Sequence, residues 1–167
     1  MKRYLLLFSI VSSFNVNAAA PFGLEWGSDF LHYGEVVQKG VYKEVVAIEL
    51  PEHDFTVESY RLLGTSEAGL MKASMKTFDY LLFSEKLDFD YAEQENLLQA
   101  NGFQIRKFTP RNTSSYECIL HSNCTGRRLE AYHSDGTSVV LEVKIKNRNT
   151  AYIYLEYSAQ EFTAPNE

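Results

Sequence analysis

The sequence has few of the residues on which catalytic and metal-binding motifs depend. Only two cysteines and four histidines occur in 167 residues. It contains no G-x-S-x-G serine motif, H-E-x-x-H zinc motif, phosphate-binding P-loop or Rossmann glycine fingerprint. Basic residues are also scarce, with 16 lysines and arginines against 22 aspartates and glutamates. Nucleic acids and anionic lipids require a basic surface, so the net charge of −6 disfavours both as partners.

Long hydrophobic runs are missing, apart from one short stretch at the N-terminus. A basic start precedes an apolar run over residues 4–11, and a small polar segment then ends in Val16-Asn17-Ala18. This pattern is typical of a secretory signal peptide, and the run is far shorter than the roughly 20 apolar residues that span a bilayer. We expect a signal peptide over residues 1–18, cleaved after Ala18 or the nearly equivalent Ala19. The product would be periplasmic or secreted, without membrane insertion.

The remainder has the composition of one globular domain. About 149 residues follow the expected cleavage site, which is an ordinary domain length. The apolar fraction of 45% and the charged fraction of 23% argue against disorder. Eleven tyrosines and eleven phenylalanines supply bulky side chains suited to a sheet-based core. We expect one domain over residues 19–160 and a frayed tail over residues 161–167.

The two cysteines, Cys118 and Cys124, are separated by five residues. In an oxidising compartment this spacing favours a local disulfide, which would contribute about 2–2.5 kcal/mol by loop closure. His121 lies between them, so a metal site is an alternative, but structural zinc usually requires four ligands and no fourth is near in sequence. The spacing is also not the C-x-x-C of a redox-active pair. We expect a disulfide and no metal.

Periodicity and turn residues in the first half of the chain predict two helices and four strands. Ser28 is a suitable N-cap and Gly40 a suitable stop, and apolar residues between them recur near helical spacing. Asp88-Phe89-Asp90 is a weak segment within the second predicted helix. The expected elements are a short strand over Pro21–Gly27, a helix over Asp29–Gln38, strands over Val41–Leu50, Val57–Leu63 and Gly69–Phe78, and a main helix between Ser84 and Asn101.

The second half of the chain has the alternation of half-buried strands. Asp135-Gly136 predicts a type I′ hairpin turn. The fold class expected from both halves is α+β, an antiparallel sheet ending in a C-terminal β-meander with two helices packed on one face. The expected strands are Phe103–Phe108, Ser115–Leu120, Arg127–His133, Thr137–Lys146 and Thr150–Ser158.

Three tyrosines on the predicted meander form the candidate interaction face. Tyr152 and Tyr154 are two residues apart on one strand, and Tyr132 lies on another. If they are exposed, such aromatic side chains would anchor a protein partner. If they are buried, they provide cross-strand packing. Both interpretations remain open on the sequence alone.

Two segments of the chain carry a resemblance to a known group of proteins. The segment Pro21-Phe22-Gly23-Leu24-Glu25-Trp26-Gly27-Ser28 and the loop from Tyr116 to Gly126 resemble an uncharacterised family of small exported bacterial proteins. Members of that family open with a PFGLxWG-like motif and carry a Cys-x5-Cys loop. The strand from Tyr152 to Tyr157 is similar as well. The resemblance supports export and a shared fold, and it implies no activity.

These patterns favour a non-enzymatic module that binds another protein, in its most specific form a toxin-neutralising immunity protein. The acidic charge would suit a cationic protein partner, and no cofactor or catalytic residue is assigned. An alternative is a binder of a small envelope ligand, which predicts an apolar pocket between helix and sheet. A small hydrolase using His53 and Asp54 is the third hypothesis, and it requires a nucleophile within hydrogen-bonding distance of His53.

Overall fold

A computed structural model describes residues 19–54, 56–109 and 127–160, and one antiparallel β-sheet dominates these ranges. The sheet has nine strands, and a single α-helix accompanies it in the described part of the chain. A 3-10 turn over Leu31–Tyr33 precedes the first strand. The elements are β1 (Glu35–Lys39), β2 (Tyr42–Ala47), β3 (Val57–Thr65), β4 (Gly69–Thr77), β5 (Tyr80–Leu81), α1 (Glu85–Ala100), β6 (Gln104–Thr109), β7 (Arg128–Tyr132), β8 (Ser138–Ile145) and β9 (Thr150–Ser158).

The sheet consists of two four-stranded meanders joined side by side. Its strand order is β1-β2-β3-β4-β9-β8-β7-β6, and the short β5 pairs with the start of β9. The joint is the antiparallel pairing of β4 with β9, in which Met75 lies opposite Leu155. The first and last described strands, β1 and β9, therefore do not meet, and β1 lies at one edge of the sheet that the described strands form.

Strict alternation of apolar and polar residues gives the sheet two different faces. In β9, Ala151, Ile153 and Leu155 are buried, whereas Tyr152 and Tyr154 between them are half-buried. We call the side of the sheet that carries the buried residues the inner face and the opposite side the outer face. Core side chains of α1 and of the N-terminal segment pack with the inner-face residues: Leu24, Trp26, Phe30, Leu87, Tyr91 and Leu98.

The main helix is confirmed and is unbroken. Ser84 is its N-cap, and the Ser84 hydroxyl accepts a hydrogen bond from the backbone N–H of Leu87 at 3.3 Å. The weak segment over residues 88–90 stays helical. Its two aspartates form ion pairs, Asp88 with Arg127 at 3.3 Å and Asp90 with Lys86 at 2.8 Å. These pairs help to offset the poor helix propensity of aspartate.

The predicted fold class, with two helices packed on one sheet face, is wrong. The segment expected to be a helix over Asp29–Gln38 forms only the 3-10 turn and then strand β1. Val36 and Val37 are β-branched and pair with Val45 and Glu44 of β2, which favours strand over helix. Gly40 is a hairpin residue with φ of 62° rather than a helix stop.

Two local predictions are also wrong in detail. Residues 21–27 form turns with one isolated bridge between Ala19 and Glu25 rather than a strand. Between β7 and β8, Gly136 has φ of 90° but Asp135 does not have the positive φ that a type I′ turn requires. The backbone N–H of Gly136 donates a hydrogen bond to the carbonyl of His133, and the backbone N–H of His133 donates one to the carbonyl of Thr137. These bonds describe a three-residue loop with a glycine bulge.

The remaining described strands lie close to their predicted positions, with ends shifted by a few residues. Several predictions lie outside the described residues: the signal peptide over 1–18, the strand over Ser115–Leu120, the Cys118–Cys124 disulfide and the tail over 161–167.

Candidate functional site

A cavity of about 440 Å³ lies at the C-terminal end of α1, where the helix, the N-terminal segment and the β7–β8 turn meet. We call it the helix-end cavity. It occupies the position, between helix and sheet, that a small-ligand binder would require. Its described lining residues are Ala19, Ala20, Pro21, Phe22, Glu52, Gln94, Leu97, Asn101, Phe103, His133, Asp135, Thr137 and Tyr157.

The β7–β8 turn holds an imidazole and a carboxylate together at this cavity. Nδ1 of His133 lies 3.0 Å from Oδ1 of Asp135, and the same oxygen accepts the backbone N–H of Thr137 at 2.8 Å. Burial opposes ionisation, but the hydrogen bonds from Thr137 and His133 outweigh it and hold the pKa of Asp135 below its usual value. The ionised Asp135 thereby holds the Nδ1 side of the His133 ring, which lines the cavity.

Three aromatic rings form the apolar wall of the cavity. The Tyr157 ring lies 5.8 Å from that of Phe22 and 6.0 Å from that of Phe103, in edge-to-face geometry. The Phe103 ring in turn lies 5.2 Å from the His133 ring. Burial raises the pKa of Tyr157 to about 12. The Tyr157 phenol is therefore protonated at neutral pH and can donate a hydrogen bond.

Acidic and amide side chains complete the lining. Glu52 comes from the loop after β2, and its backbone N–H donates to the carbonyl of Phe22 at 3.2 Å, which ties that loop to the N-terminal segment. Gln94 and Asn101 approach from α1. With Asp135, the cavity has two carboxylates, and neither lysine nor arginine occurs among its described lining residues. This electrostatic environment suits an uncharged or cationic ligand and opposes an anion.

The three predicted tyrosines all lie on the outer face, but they do not form one stripe. Tyr152 and Tyr154 are neighbours on β9, and the Nζ atoms of Lys76 and Lys144 lie 5.0 Å and 4.0 Å from their respective ring centroids. Tyr132 is opposite Ser138, which is opposite Ser158, four positions along β9 from Tyr154. The tyrosines therefore form a pair and a separate single residue.

Tyr154 is held by its surroundings on the outer face. Burial, followed by its hydrogen bond to Glu156, raises the pKa of Tyr154 well above its usual value. The Tyr154 hydroxyl donates to Oε2 of Glu156 at 2.6 Å, and Lys72 binds Oε1 of the same carboxylate at 2.8 Å. Beside the tyrosine pair lies a cavity of about 250 Å³, which Arg61 and Ser74 also line.

The histidine and aspartate of the hydrolase hypothesis contact other groups. Nδ1 of His53 lies 3.2 Å from the hydroxyl of Tyr60, and the ring contacts Tyr60 edge to face. The Asp54 carboxylate accepts hydrogen bonds from the backbone and side chain of Thr56, both at 2.8 Å. Burial raises the pKa of Tyr60, so this phenol is a poor nucleophile at neutral pH.

The candidate metal ligands Cys118, His121 and Cys124 lie outside the described residues. Within residues 19–54, 56–109 and 127–160, no cluster of histidine, cysteine, aspartate or glutamate could hold a metal ion. In those same ranges no helix has the length and apolarity needed to cross a membrane.

Sequence reasoning missed the residues of the helix-end cavity. On the sequence, Phe22 belongs to the N-terminal motif, and His133 ends a predicted strand and is a distant histidine that could reach the Cys118–Cys124 loop only through the fold. The sequence does place His133 next to the Asp135-Gly136 turn. A tight turn brings residues two positions apart close together, so contact between the His133 and Asp135 side chains could have been predicted. No local pattern points to Phe103 or Tyr157.

Comparison with known proteins adds no functional information to the geometry described above. No protein-family model matches the chain, and no match was found among curated proteins or solved structures.

Proposed function

We propose that the protein binds a small molecule in the helix-end cavity. The observation that supports this most strongly is the combination of size and lining: about 440 Å³, with an aromatic wall beside several polar side chains. Small-molecule sites are commonly concave, have volumes of about 300–1,000 Å³ and combine apolar walls with polar groups that fix the ligand's orientation. His133, oriented by Asp135, and the protonated Tyr157 phenol provide directional hydrogen bonds within such a site.

The ligand class follows from the lining. The rings of Phe22, Phe103 and Tyr157 favour a flat apolar body, which can stack or pack edge to face against them. Glu52 and Asp135 disfavour an anionic end group and attract a cationic one. We therefore expect a planar apolar molecule with an uncharged hydroxyl or amide end, or with an amine.

Three indoles that share one ring system test this class directly. Tryptamine is cationic, tryptophol is uncharged and indole-3-acetate is anionic, so only the end group differs. Isothermal titration calorimetry should show binding of the first two and at least roughly tenfold weaker binding of the acetate. If none of the three binds, or if the acetate binds best, the proposed ligand class is wrong.

A variant that fills the helix-end cavity tests whether the ligand binds there. Leu97 lines the cavity from α1 and its side chain is exposed, so Leu97→Trp should fill the space without disturbing the core. Gln99→Trp is the matched control, because Gln99 is exposed on the same helix and does not line the cavity. Loss of tryptamine binding in Leu97→Trp but not in Gln99→Trp would support the proposal. Equal binding by both variants would refute it.

A second candidate is protein binding by the outer face, as an interaction module of the immunity-protein kind. The specific observation that favours it is the Tyr152–Tyr154 pair, two half-buried aromatic residues beside cations, on the face opposite α1. Pull-down from a periplasmic extract at low and high salt would test it. A partner lost with Tyr152→Ala but kept with Tyr132→Ala, a residue remote on the same face, would support this role. Capture of the same proteins by all variants would count against it.

A further inference from the structure

Strand β1 is an edge of the sheet with which no other described residue pairs beyond β2, and it exposes apolar side chains. It ends the strand order, with β2 as its neighbour. All five of its residues are exposed, and Val36 and Val37 retain 44% and 43% of their accessible surface. An edge strand of this kind presents backbone donors and acceptors that can pair with another strand.

The usual protections against edge pairing are nearly absent from β1. Its register with β2 runs without a bulge from Glu35 to Lys39, and the strand contains no proline. Its two charged residues, Glu35 and Lys39, lie at the two ends of the strand and leave the three central residues uncharged. Lys39 forms an ion pair with Glu44 at 2.8 Å. Natural edges more often carry prolines, bulges or inward-pointing charges.

The hairpin geometry determines which backbone groups of β1 face outward. Lys39 and Tyr42 close a two-residue loop, and such loops close on a pair that exchanges both backbone hydrogen bonds. Hydrogen-bonded and non-hydrogen-bonded pairs then alternate along the strands. Val37 and Glu35 consequently direct their backbone groups to β2, and Val36 and Gln38 direct theirs to the open edge.

We propose that β1 pairs antiparallel with β1 of a second copy of this chain. The outward groups of Val36 and Gln38 allow three registers, in which Val36 faces Val36, Val36 faces Gln38, or Gln38 faces Gln38 of the other copy. Only the second register places Glu35 of each copy opposite Lys39 of the other copy. The symmetric dimer therefore contains this pair twice. Glu35 is exposed, so its carboxylate can approach Lys39 of the other copy, and this charge complementarity selects the register.

That register also brings the exposed apolar side chains together. It places Val37 opposite Val37 of the second copy on the outer face, at the symmetry axis, in a non-hydrogen-bonded pair where side chains approach closely. The interface is isologous, as a two-fold dimer requires. Because it is much smaller than a standard interface of about 1,600 Å², we expect a weak dimer with a dissociation constant of roughly 10–100 µM. It is independent of the proposed ligand site.

Charge-reversal variants test both the proposed dimer surface and the proposed register of β1 against β1 of the second copy. Glu35→Lys and Lys39→Glu each place like charges opposite one another at both ends of the pairing, and each should raise the dimer dissociation constant roughly tenfold. An equimolar mixture of the two variants restores opposite charges at both ends, so the mixed dimer should form about as well as the unmodified one. Glu67→Lys, an exposed residue in the β3–β4 loop, is the control for net charge.

Sedimentation equilibrium on protein expressed from the full sequence would measure these constants from about 1 to 500 µM. Thermal melts by circular dichroism would verify that each variant is folded, since Lys39→Glu also removes the exposed ion pair with Glu44. Weakened self-association of each single variant, recovered on mixing and unaffected by Glu67→Lys, is the expected result. A monomer throughout the range, or a mixture no stronger than the separate variants, would overturn the proposal.

Discussion

Removal of the Tyr91 hydroxyl should stabilise the protein, although truncation of a buried side chain normally destabilises. The Tyr91 side chain is 1% exposed where α1 packs on the inner face, and its hydroxyl has no hydrogen-bond partner in the part of the chain that the structure describes. Burial raises the pKa of this phenol far above its usual value. A buried hydroxyl without a partner costs about 1–3 kcal/mol. The guanidinium carbon of Arg127 lies 5.5 Å from the centroid of the Tyr91 ring. Because Tyr91→Phe keeps the ring and this contact, we expect it to raise the free energy of unfolding by about 1 kcal/mol.

Tyr80, in strand β5, provides the matched control for Tyr91. The Tyr80 hydroxyl donates a hydrogen bond to Oδ2 of Asp90 on α1 at 2.8 Å. Tyr80→Phe removes the same oxygen atom, but here the hydroxyl has an ionised acceptor and its loss leaves Asp90 with one bond fewer. Hydrogen bonds to charged groups contribute about 1.5–3 kcal/mol. We expect Tyr80→Phe to lower the free energy of unfolding by about 1.5 kcal/mol.

Urea denaturation followed by circular dichroism would measure both variants. The midpoints should move in opposite directions with unchanged slopes, and the melting temperatures should rise by about 3 °C for Tyr91→Phe and fall for Tyr80→Phe. If Tyr91→Phe instead lowers the free energy of unfolding by about 1 kcal/mol or more, then its hydroxyl is hydrogen-bonded. The packing of α1 on the sheet would then differ from the arrangement described above.

Three further predictions concern the cap, the turn and one pair of glycines. Ser84→Ala should cost about 1 kcal/mol of stability, measured by urea denaturation, because it removes the N-cap of α1. Asp135 has a lowered pKa, so its stabilising contribution is present above the unfolded value of about 3.9 and is lost as pH falls. The stability difference between the unmodified protein and Asp135→Asn should therefore be roughly constant above about pH 5 and shrink as pH is lowered from about 5 through 3, and a difference that stays constant down to about pH 3 would contradict this. Gly69→Ala should cost about 3 kcal/mol or more, since a Cβ would lie 2.1 Å from the Gly27 carbonyl at φ of 66°. Gly40→Ala, with φ of 62° and open space around it, should cost only about 1–2 kcal/mol in the same measurement.

Local signals were sufficient for the elements whose pattern agrees with their tertiary environment. Ser84 and Asn101 delimit α1 at the predicted residues, because capping is a property of the adjacent chain. Alternation of apolar and polar residues correctly predicts that Leu141 in β8 and Ile153 in β9 are buried, whereas their neighbours along each strand are not. The first predicted helix was wrong because Val36 and Val37 fit helical spacing by chance, while pairing with β2 stabilises them as a strand.

The helix-end cavity could not be derived from the sequence, because its residues come from distant parts of the chain. Phe22 lies near the expected mature N-terminus, Phe103 follows α1, and His133 and Tyr157 belong to the second meander. Phe22 packs against Tyr60 of the first meander, and it reaches the other three residues because β4 pairs with β9, a contact between strands separated by most of the domain. Likewise, alternation places Tyr152 and Tyr154 on one face, but only the register of β7, β8 and β9 shows that Tyr132 is remote from them.

The central claim is that the helix-end cavity is a ligand site, and NMR mapping of tryptophol binding tests it most directly. In a titration of isotopically labelled protein, the largest chemical-shift changes should fall on Phe22, Phe103, His133 and Tyr157. Resonances of the outer face, including Tyr152, should stay unchanged. Saturable changes confined to the cavity residues would establish the site. The absence of any saturable change there, or larger changes on the outer face, would contradict it.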